Sequence, residues 1–183
     1  METDWAADPP PRALVLPPSQ LNAQGFPSWD RLELVDMHSF GSLQHHRLQK
    51  DDIMLVLRGP HRALRVTENT LGADHVAMPL PVVASSAWAV ITPDPDRLNS
   101  SFLAWELGLP RTRSMLERSK KGSVLQFIPI SAVADLRLHI PSMERQEQLG
   151  RAAAAIDRIE ALESERTRLL RSSLAASTES IAR

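Results

Sequence analysis

The longest helix signal in the sequence lies between residues 143 and 173, where there is no proline and the only glycine is Gly150. Because proline and glycine disfavour helix interiors more than any other residue, this composition predicts one long helix. Its apolar residues recur at alternating spacings of three and four, interrupted by Glu163 and Arg166, which is typical of a coiled coil with a polar break. The residues predicted to face a partner helix are Leu149, Ala152, Ile156, Ile159, Leu162 and Leu170.

Acidic and basic residues are nearly balanced in this helix and in the whole chain, so neither attracts polyanions strongly. Six arginines balance six acidic residues between positions 144 and 171, so the predicted partner of the helix is another helix rather than DNA. The chain as a whole has 21 basic and 22 acidic residues and a formal net charge of −1. No overall field draws it to nucleic acid or to an anionic membrane, and any DNA contact must be local.

The remaining sequence predicts short strands and helices around one apolar strand. That strand is predicted at 52–57, where five consecutive apolar residues follow Asp52 and give the length of a strand buried on both faces. Asp51 and Asp52 are expected to form the turn at its start. Further strands are predicted at 62–67, 76–78, 80–84, 88–92 and 124–128, with a short one in 13–28. Helices are predicted at 100–107 and 112–119, and the apolar segment 132–140 is expected to join the core. The predicted fold class is α/β (α+β): a mixed sheet followed by a long, coiled-coil-like helix.

The expected organisation is a flexible leader at 1–12, a globular domain at 13–140 and a helical segment at 141–183. The leader is acidic and proline-rich, without the basic and apolar regions of a signal peptide. No segment is long enough to span a bilayer, so we expect a cytoplasmic protein without membrane contact. The chain has no cysteine, which excludes disulfides, thiolate metal sites and cysteine nucleophiles.

We find no signature of an enzyme. Pro93-Asp94 followed by Glu106 resembles the opening of a metal-dependent nuclease motif, but Gly108 stands where that motif needs its lysine. His45 and His46 are adjacent, and adjacent side chains on a strand point in opposite directions, so they are expected to be solvated rather than to chelate one ion. We therefore expect no catalytic residue, metal or other cofactor.

Two basic clusters are the candidates for binding a ligand. One surrounds the Gly59-Pro60 turn, and the other, at 107–121, has five basic residues against Glu117. Such clusters can bind phosphates, and an arginine can also donate two hydrogen bonds to guanine, but an ordinary solvated surface fits the charge pattern equally well. The candidate DNA-binding residues are Arg58, His61, Arg62, Arg65, Arg111, Arg113, Arg118, Lys120 and Lys121.

Several segments, in their order along the chain, resemble the target-recognition domain of type I restriction-modification specificity subunits. Residues 48–59 resemble the family's "Gly-Asp-Ile-Leu" strand, with Asp51 where glycine is usual. Residues 84–107 resemble a strand followed by a "Tyr-Leu" helix, with Phe102 in place of tyrosine. Residues 139–146 resemble the end of the domain, where Pro141 and Gln146 match the family pattern. The resemblance extends over about residues 32–174.

This resemblance implies a non-catalytic subunit whose globular domain reads half of a split double-stranded DNA target. It implies that the long helix packs against a partner helix and docks methyltransferase subunits, which would carry the catalysis. A usual specificity subunit has two recognition domains and two long helices, whereas this chain has one of each. The resemblance thus implies a half-subunit that forms a homodimer or pairs with another specificity chain. The alternative is an interaction scaffold or decoy that keeps the fold and no longer reads DNA.

Overall fold

The described residues form two three-stranded sheets, and β1 (Arg12–Leu16) is the central strand of the first. The computed structural model describes residues 12–22, 27–36, 47–71 and 80–181. Strand β1 (Arg12–Leu16) lies antiparallel to β2 (Glu33–Asp36) and parallel to β5 (Val82–Ala84). Strand β2 was not predicted, because Val35 is its only buried residue and four residues give too short a pattern to detect.

In the second sheet, β3 (Ile53–Val56) lies between β4 (Ala63–Arg65) and β6 (Trp88–Ile91) and is antiparallel to both. All four residues of β3 are buried, as its continuous apolar sequence predicts. Alternate side chains point to opposite faces of a strand. Met54 and Val56 therefore enter one core, while Ile53 and Leu55 pack towards the helices.

Trp88 connects the two sheets. Its indole Nε1 donates a buried hydrogen bond of 2.9 Å to the backbone oxygen of Leu16, the last residue of β1. Leu16 and Trp88 share one hydrophobic cluster with Met54 and Val56. Because a buried indole N–H needs a partner, this bond fixes the position of the first sheet against the second.

Three short helices cover the other face of β3. Helix α1 (Ser100–Gly108) begins at Asn99, whose side chain accepts a hydrogen bond of 3.0 Å from the Phe102 backbone nitrogen. Helix α2 (Pro110–Arg118) follows after one residue, with proline in its first turn, where the missing N–H costs nothing. Helix α3 (Ile130–Ala134) packs Ala132 and Val133 against the cluster around Leu55.

The prediction of a strand at 124–128 is wrong. Residues 122–126 form an exposed loop, and Ile128 returns to the core with 2% of its surface exposed. The apolar segment 132–140 joins the core only in part, since Leu136 and Leu138 pack against it while Ile140 is 44% exposed. The strand predicted at 76–78 lies outside the described residues, as does the leader up to residue 11.

Helix α4 (Met143–Ile181) has 39 residues and is about 58 Å long at the usual rise per residue. Its first turns pack on α1, and Gly150 permits the close approach. A Cβ atom at Gly150 would lie 2.9 Å from Asn99 Oδ1 and 3.0 Å from the Phe102 nitrogen. The predicted α/β fold with a mixed sheet and a long final helix is confirmed. None of the helices in the described residues has the length and apolar character needed to cross a membrane.

Candidate nucleic-acid interface

The structure brings together the turn after β3 and the loop after α2. The backbone nitrogen of Ile128 donates a hydrogen bond of 2.9 Å to the oxygen of Leu57, directly before the Arg58-Gly59-Pro60 turn. The guanidinium of Arg58 lies over the Phe127 ring, 5.8 Å from its centroid. The two basic clusters of the sequence are therefore neighbours in space at this point.

The loop after α2 is closed by a pair of backbone hydrogen bonds. Lys121 and Phe127 exchange two N–H to O bonds of 2.9 Å each, and residues 122–126 lie between them. Gly122 has a φ of +95°, and a Cβ atom there would lie 2.4 Å from the oxygen of Leu125. Glycine is required at this position because both the backbone conformation and the space exclude a side chain. We call residues 121–127 the closed loop.

Four of the candidate DNA-binding residues are exposed and have no carboxylate at ion-pair distance among the residues that the structure describes. Arg118 ends helix α2, and Lys121 begins the closed loop. Exposed cations of this kind can bind phosphates without first breaking an internal ion pair. The four residues are Arg58, Arg113, Arg118 and Lys121.

Three other candidates pair with carboxylates of the same chain. Arg65 lies 2.8 Å from Asp51, and Lys120 lies 2.7 Å from Glu117. The hydrogen bond from Lys120 lowers the pKa of Glu117, and the charges of Lys120, Arg113 and His61 act in the same direction against the effect of burial. Adjacent lysines thus differ: Lys121 is exposed, whereas the Lys120 side chain is 19% exposed and engaged.

The third pair is formed by Arg111 and Glu106. Arg111 donates a hydrogen bond of 3.1 Å from Nε to Glu106 Oε1 and a second one to Oε2, and these bonds raise the pKa of Arg111. Glu106 is 2% exposed and also accepts a hydrogen bond from the Thr112 hydroxyl. The carboxylate that resembled part of a nuclease motif is therefore bound to two residues of α2.

His61 and Arg62 make contacts within the protein. His61 Nε2 lies 2.8 Å from the backbone oxygen of Leu107, so it carries the proton and donates to the carboxyl end of α1. Its Nδ1 is buried and has no hydrogen-bond partner among the described residues. Arg62 donates a hydrogen bond of 2.8 Å to the oxygen of Asn22, and burial lowers the pKa of Arg62. Both side chains hold the turn after β3 against neighbouring segments.

Asp51 and Asp52 form a turn into β3, as predicted. Asp51 has a φ of +71°, and its Oδ1 accepts hydrogen bonds from Arg65 and, at 3.2 Å, from the Ser100 hydroxyl. Asp52 is 2% exposed and accepts bonds from the Gln49 nitrogen at 2.8 Å and the Thr92 hydroxyl at 2.6 Å. In the described ranges, no group of three or more histidine and acidic side chains could hold a metal ion. His45 and His46 lie outside these ranges.

Helix α4 exposes most of the residues predicted to face a partner. Leu149 is half-buried, Ala152 is exposed, and the four larger residues that follow are 54–63% exposed: Ile156, Ile159, Leu162 and Leu170. Leu174, which the sequence interpretation missed because it ended the helix at 173, is 67% exposed one turn after Leu170. Ala153, next to the predicted Ala152, is instead the alanine that packs against the body, with 7% of its surface exposed.

The sequence interpretation also missed the apolar residues of the closed loop. Val124 and Leu125 were assigned to a strand, although they follow Gly122-Ser123, a turn signal that places them at a loop tip. Val124 is 89% exposed and Leu125 is 83% exposed.

No family model matches this sequence, and no curated protein matches it. Among solved structures, the fold is similar to the crystal structure of the HsdS subunit from Thermoanaerobacter tengcongensis, with a TM-score of 0.61 and 14% sequence identity. The similarity covers 88% of this chain and 40% of that subunit, so the chain spans less than half of the subunit's length. At this identity, the comparison shows a shared fold.

Proposed function

We propose that this chain is a non-catalytic DNA-recognition module, the specificity component of a type I-like restriction-modification or related phage-defence complex. One observation carries the proposal: the similarity to an HsdS subunit extends over 88% of the chain, and thus over both the globular part and part or all of the long helix. HsdS subunits are the specificity subunits of such complexes. Under this proposal the chain reads half of a split target.

The exposed cations beside the closed loop support DNA binding. Arg58, Arg118 and Lys121 occupy the two segments that meet at the Leu57–Ile128 hydrogen bond. With a net charge of −1, the chain can attract a duplex only through such a local group. Phosphate contacts would set the orientation of the body on the duplex, and loop residues would read bases.

The exposed apolar residues of α4 support a helical partner. Leu162, Leu170 and Leu174 are all more than 60% exposed. In a homodimer, two-fold symmetry would place two bodies on the two halves of a symmetric target. Pairing with another specificity chain would give an asymmetric target. Methyltransferase subunits would dock on the resulting assembly and supply the chemistry.

The test is a titration of a fluorescent random-sequence duplex with the full chain at two salt concentrations. We expect salt-dependent binding that the double substitution R118E/K121E weakens at least tenfold, because phosphate contacts dominate affinity for random DNA. The matched control R12E/R47E reverses two exposed charges in or beside the first sheet and should change affinity much less. Equal losses in both variants would remove the support for this interface.

The scaffold or decoy alternative also has an observation in its favour. Arg65, Arg111 and Lys120, three of the nine candidate DNA-binding residues, are paired with carboxylates of this chain. Under this alternative, the chain would assemble through α4 and show no salt-dependent duplex binding at any concentration at which it stays folded. The same titration, combined with light scattering, separates the two functions.

A further inference from the structure

The most exposed large apolar residues in the described part of the chain are Val124 and Leu125, at 89% and 83%. Both exceed every large apolar residue of α4 whose side chain the structure describes, where the highest value is 67%. They are consecutive and lie at the tip of the closed loop, so each is surrounded by solvent. Single exposed apolar residues are ordinary, but two bulky ones at one tip call for an explanation.

The loop holds this tip in place. The Lys121–Phe127 hydrogen bonds close it at the base, and the Gly122 conformation brings the oxygen of Leu125 back over the first residue of the turn. Directly after the base, Ile128 is anchored in the core and bonded to Leu57. The backbone therefore projects Val124 and Leu125 outwards from a fixed stem.

The surroundings of the tip are cationic. Lys121 forms the stem, Arg58 stacks on the Phe127 ring of the stem, and Arg118 ends the helix that leads into it. An apolar tip on a positively charged stem matches a ligand that has a negatively charged exterior and apolar groups recessed behind it.

Double-stranded DNA has this arrangement. Its phosphates lie on the outside, and the C5-methyl group of thymine is the apolar group that base edges show in the major groove. That groove is about 12 Å wide and admits a two-stranded ribbon. The two sides of the closed loop are joined at its base by a single antiparallel pair, Lys121 and Phe127. Contact with a methyl group requires no unstacking of bases, unlike the insertion of a wedge from the minor groove.

We infer that the closed loop enters the major groove and that Val124 and Leu125 contact thymine methyl groups, while Lys121 and Arg118 bind the flanking phosphates. This inference rests on the proposed DNA-recognition function and adds to it a base preference. The half-target read by this body would contain thymine at one or two positions under the loop.

The test begins with selection of binding sites from a random duplex library by the full chain. The selected duplex is then synthesised with deoxyuridine in place of thymidine, which removes only the C5-methyl groups. We expect affinity to fall about fourfold for each methyl group removed from under the loop, as follows from the free energy of burying one such group. The variant V124S/L125S should bind the thymidine and deoxyuridine duplexes equally.

The variant should fold, because both side chains are more than 80% exposed, and its unfolding curve checks this. L34S is the matched control: Leu34 is an exposed apolar residue of β2 in the other sheet, and the variant should keep the full thymidine preference.

A chain that binds duplex DNA with salt dependence but with the same affinity for both duplexes would overturn the inference and leave the proposed function intact. A chain that binds no duplex would overturn both. The inference would also be overturned if the loop tip bound phosphatidylserine vesicles and the thymidine and deoxyuridine duplexes bound with equal affinity.

Discussion

The buried side chain of Gln146 accepts a hydrogen bond of 2.9 Å from the backbone nitrogen of Asn99, the residue that caps helix α1. Its amide nitrogen donates to the oxygens of Arg97, at 3.2 Å, and Pro141, at 3.0 Å. One side chain, 2% exposed, thus satisfies three backbone groups and joins the start of α4 to the start of α1. Because α4 carries the surface proposed for partner binding, Gln146 sets the direction in which that surface leaves the body.

Replacing Gln146 with leucine should lower the free energy of unfolding by about 2–4 kcal/mol, since it leaves buried backbone groups without partners. Urea unfolding measures the loss. Gln148 is the control, because it is exposed and its hydrogen bonds within the described part of the chain are to Arg145 and Glu144 on the same helix. Gln148→Leu should change stability by less than about 0.5 kcal/mol. Equal effects of the two substitutions would contradict the role given to Gln146.

Gly150→Ala and Gly108→Ala should have opposite effects, although both glycines lie in helices. At Gly150 the added methyl would lie 3.0 Å or less from Asn99, Ser101 and Phe102, so we expect a loss of about 1–3 kcal/mol despite the better helix propensity of alanine. At Gly108 the methyl meets nothing within 4 Å, and we expect a gain of up to about 1 kcal/mol. Thermal unfolding of both variants measures the two effects. A Gly150→Ala variant that is more stable than the wild-type chain would contradict this prediction.

Arg111→Met should lower the midpoint of thermal unfolding, because it leaves the buried Glu106 carboxylate without its charged partner. The loss should be smaller than for a fully buried pair, since the Arg111 side chain is 63% exposed. In a double-mutant cycle with Glu106→Gln, the effect of Arg111→Met should largely disappear. Arg113→Met, on the same helix without a carboxylate at ion-pair distance among the described residues, serves as control and should be nearly neutral. No coupling would mean that Glu106 is held by Thr112 alone.

Glu117→Gln should strengthen binding of random duplex DNA and steepen its salt dependence by about one unit of slope, because it releases Lys120 for a phosphate. Glu33→Gln, on strand β2 of the other sheet, removes the same charge from an exposed position and should leave the slope unchanged. The pKa of Glu117 is lowered in the folded chain, so its ion pair contributes stability above the ordinary glutamate pKa. That contribution is lost as the pH falls through the lowered pKa. The affinity difference between wild type and Glu117→Gln should therefore be constant from about pH 5 to 8.

The double substitution L162K/L170K should abolish self-association if α4 is the dimerisation surface. Both positions are more than 60% exposed in the single chain, so the body should remain folded. T167K/S172K adds the same charge at exposed positions outside the predicted stripe and should leave the oligomer intact. Light scattering of a chain shortened after residue 160 gives an independent check, because that chain keeps the contacts of Gln146, Gly150 and Ala153. A dimer that survives both changes would place the interface elsewhere.

The sequence predicts those features that depend on local patterns. The continuous apolar run of β3, the Gly108 end of α1 and the proline-free α4 are all visible along the chain, and each is found in the structure. Strand β2 is not visible, because it exists only through its pairing with β1. Val124 and Leu125 were misassigned because apolar residues have the same pattern in a buried strand and at an exposed loop tip.

The charged residues of the candidate interface were predictable from the sequence, but the ion pairs that each of them forms were not. A count of charges treats Lys120 and Lys121 alike. In the structure, Lys120 forms an ion pair with Glu117, whereas Lys121 is exposed. Likewise, Arg111 carries the same formal charge as Arg118 but is held by a buried carboxylate. Such differences depend on side chains that fold into contact, so they require coordinates.

The parallel pairing of β1 with β5 has a consequence for how the chain is made. Leu14 pairs with Val82, and Leu16 meets the indole of Trp88, 72 positions later in the sequence, so β1 can pair with β2 early while its other edge has no partner until β5 and Trp88 are made. The β3–β4 hairpin, by contrast, forms from residues close in sequence and can form early. One edge of β1 is therefore unpaired during that interval of translation. An unpaired strand edge is a site for misfolding and for chaperone binding while a chain is being made.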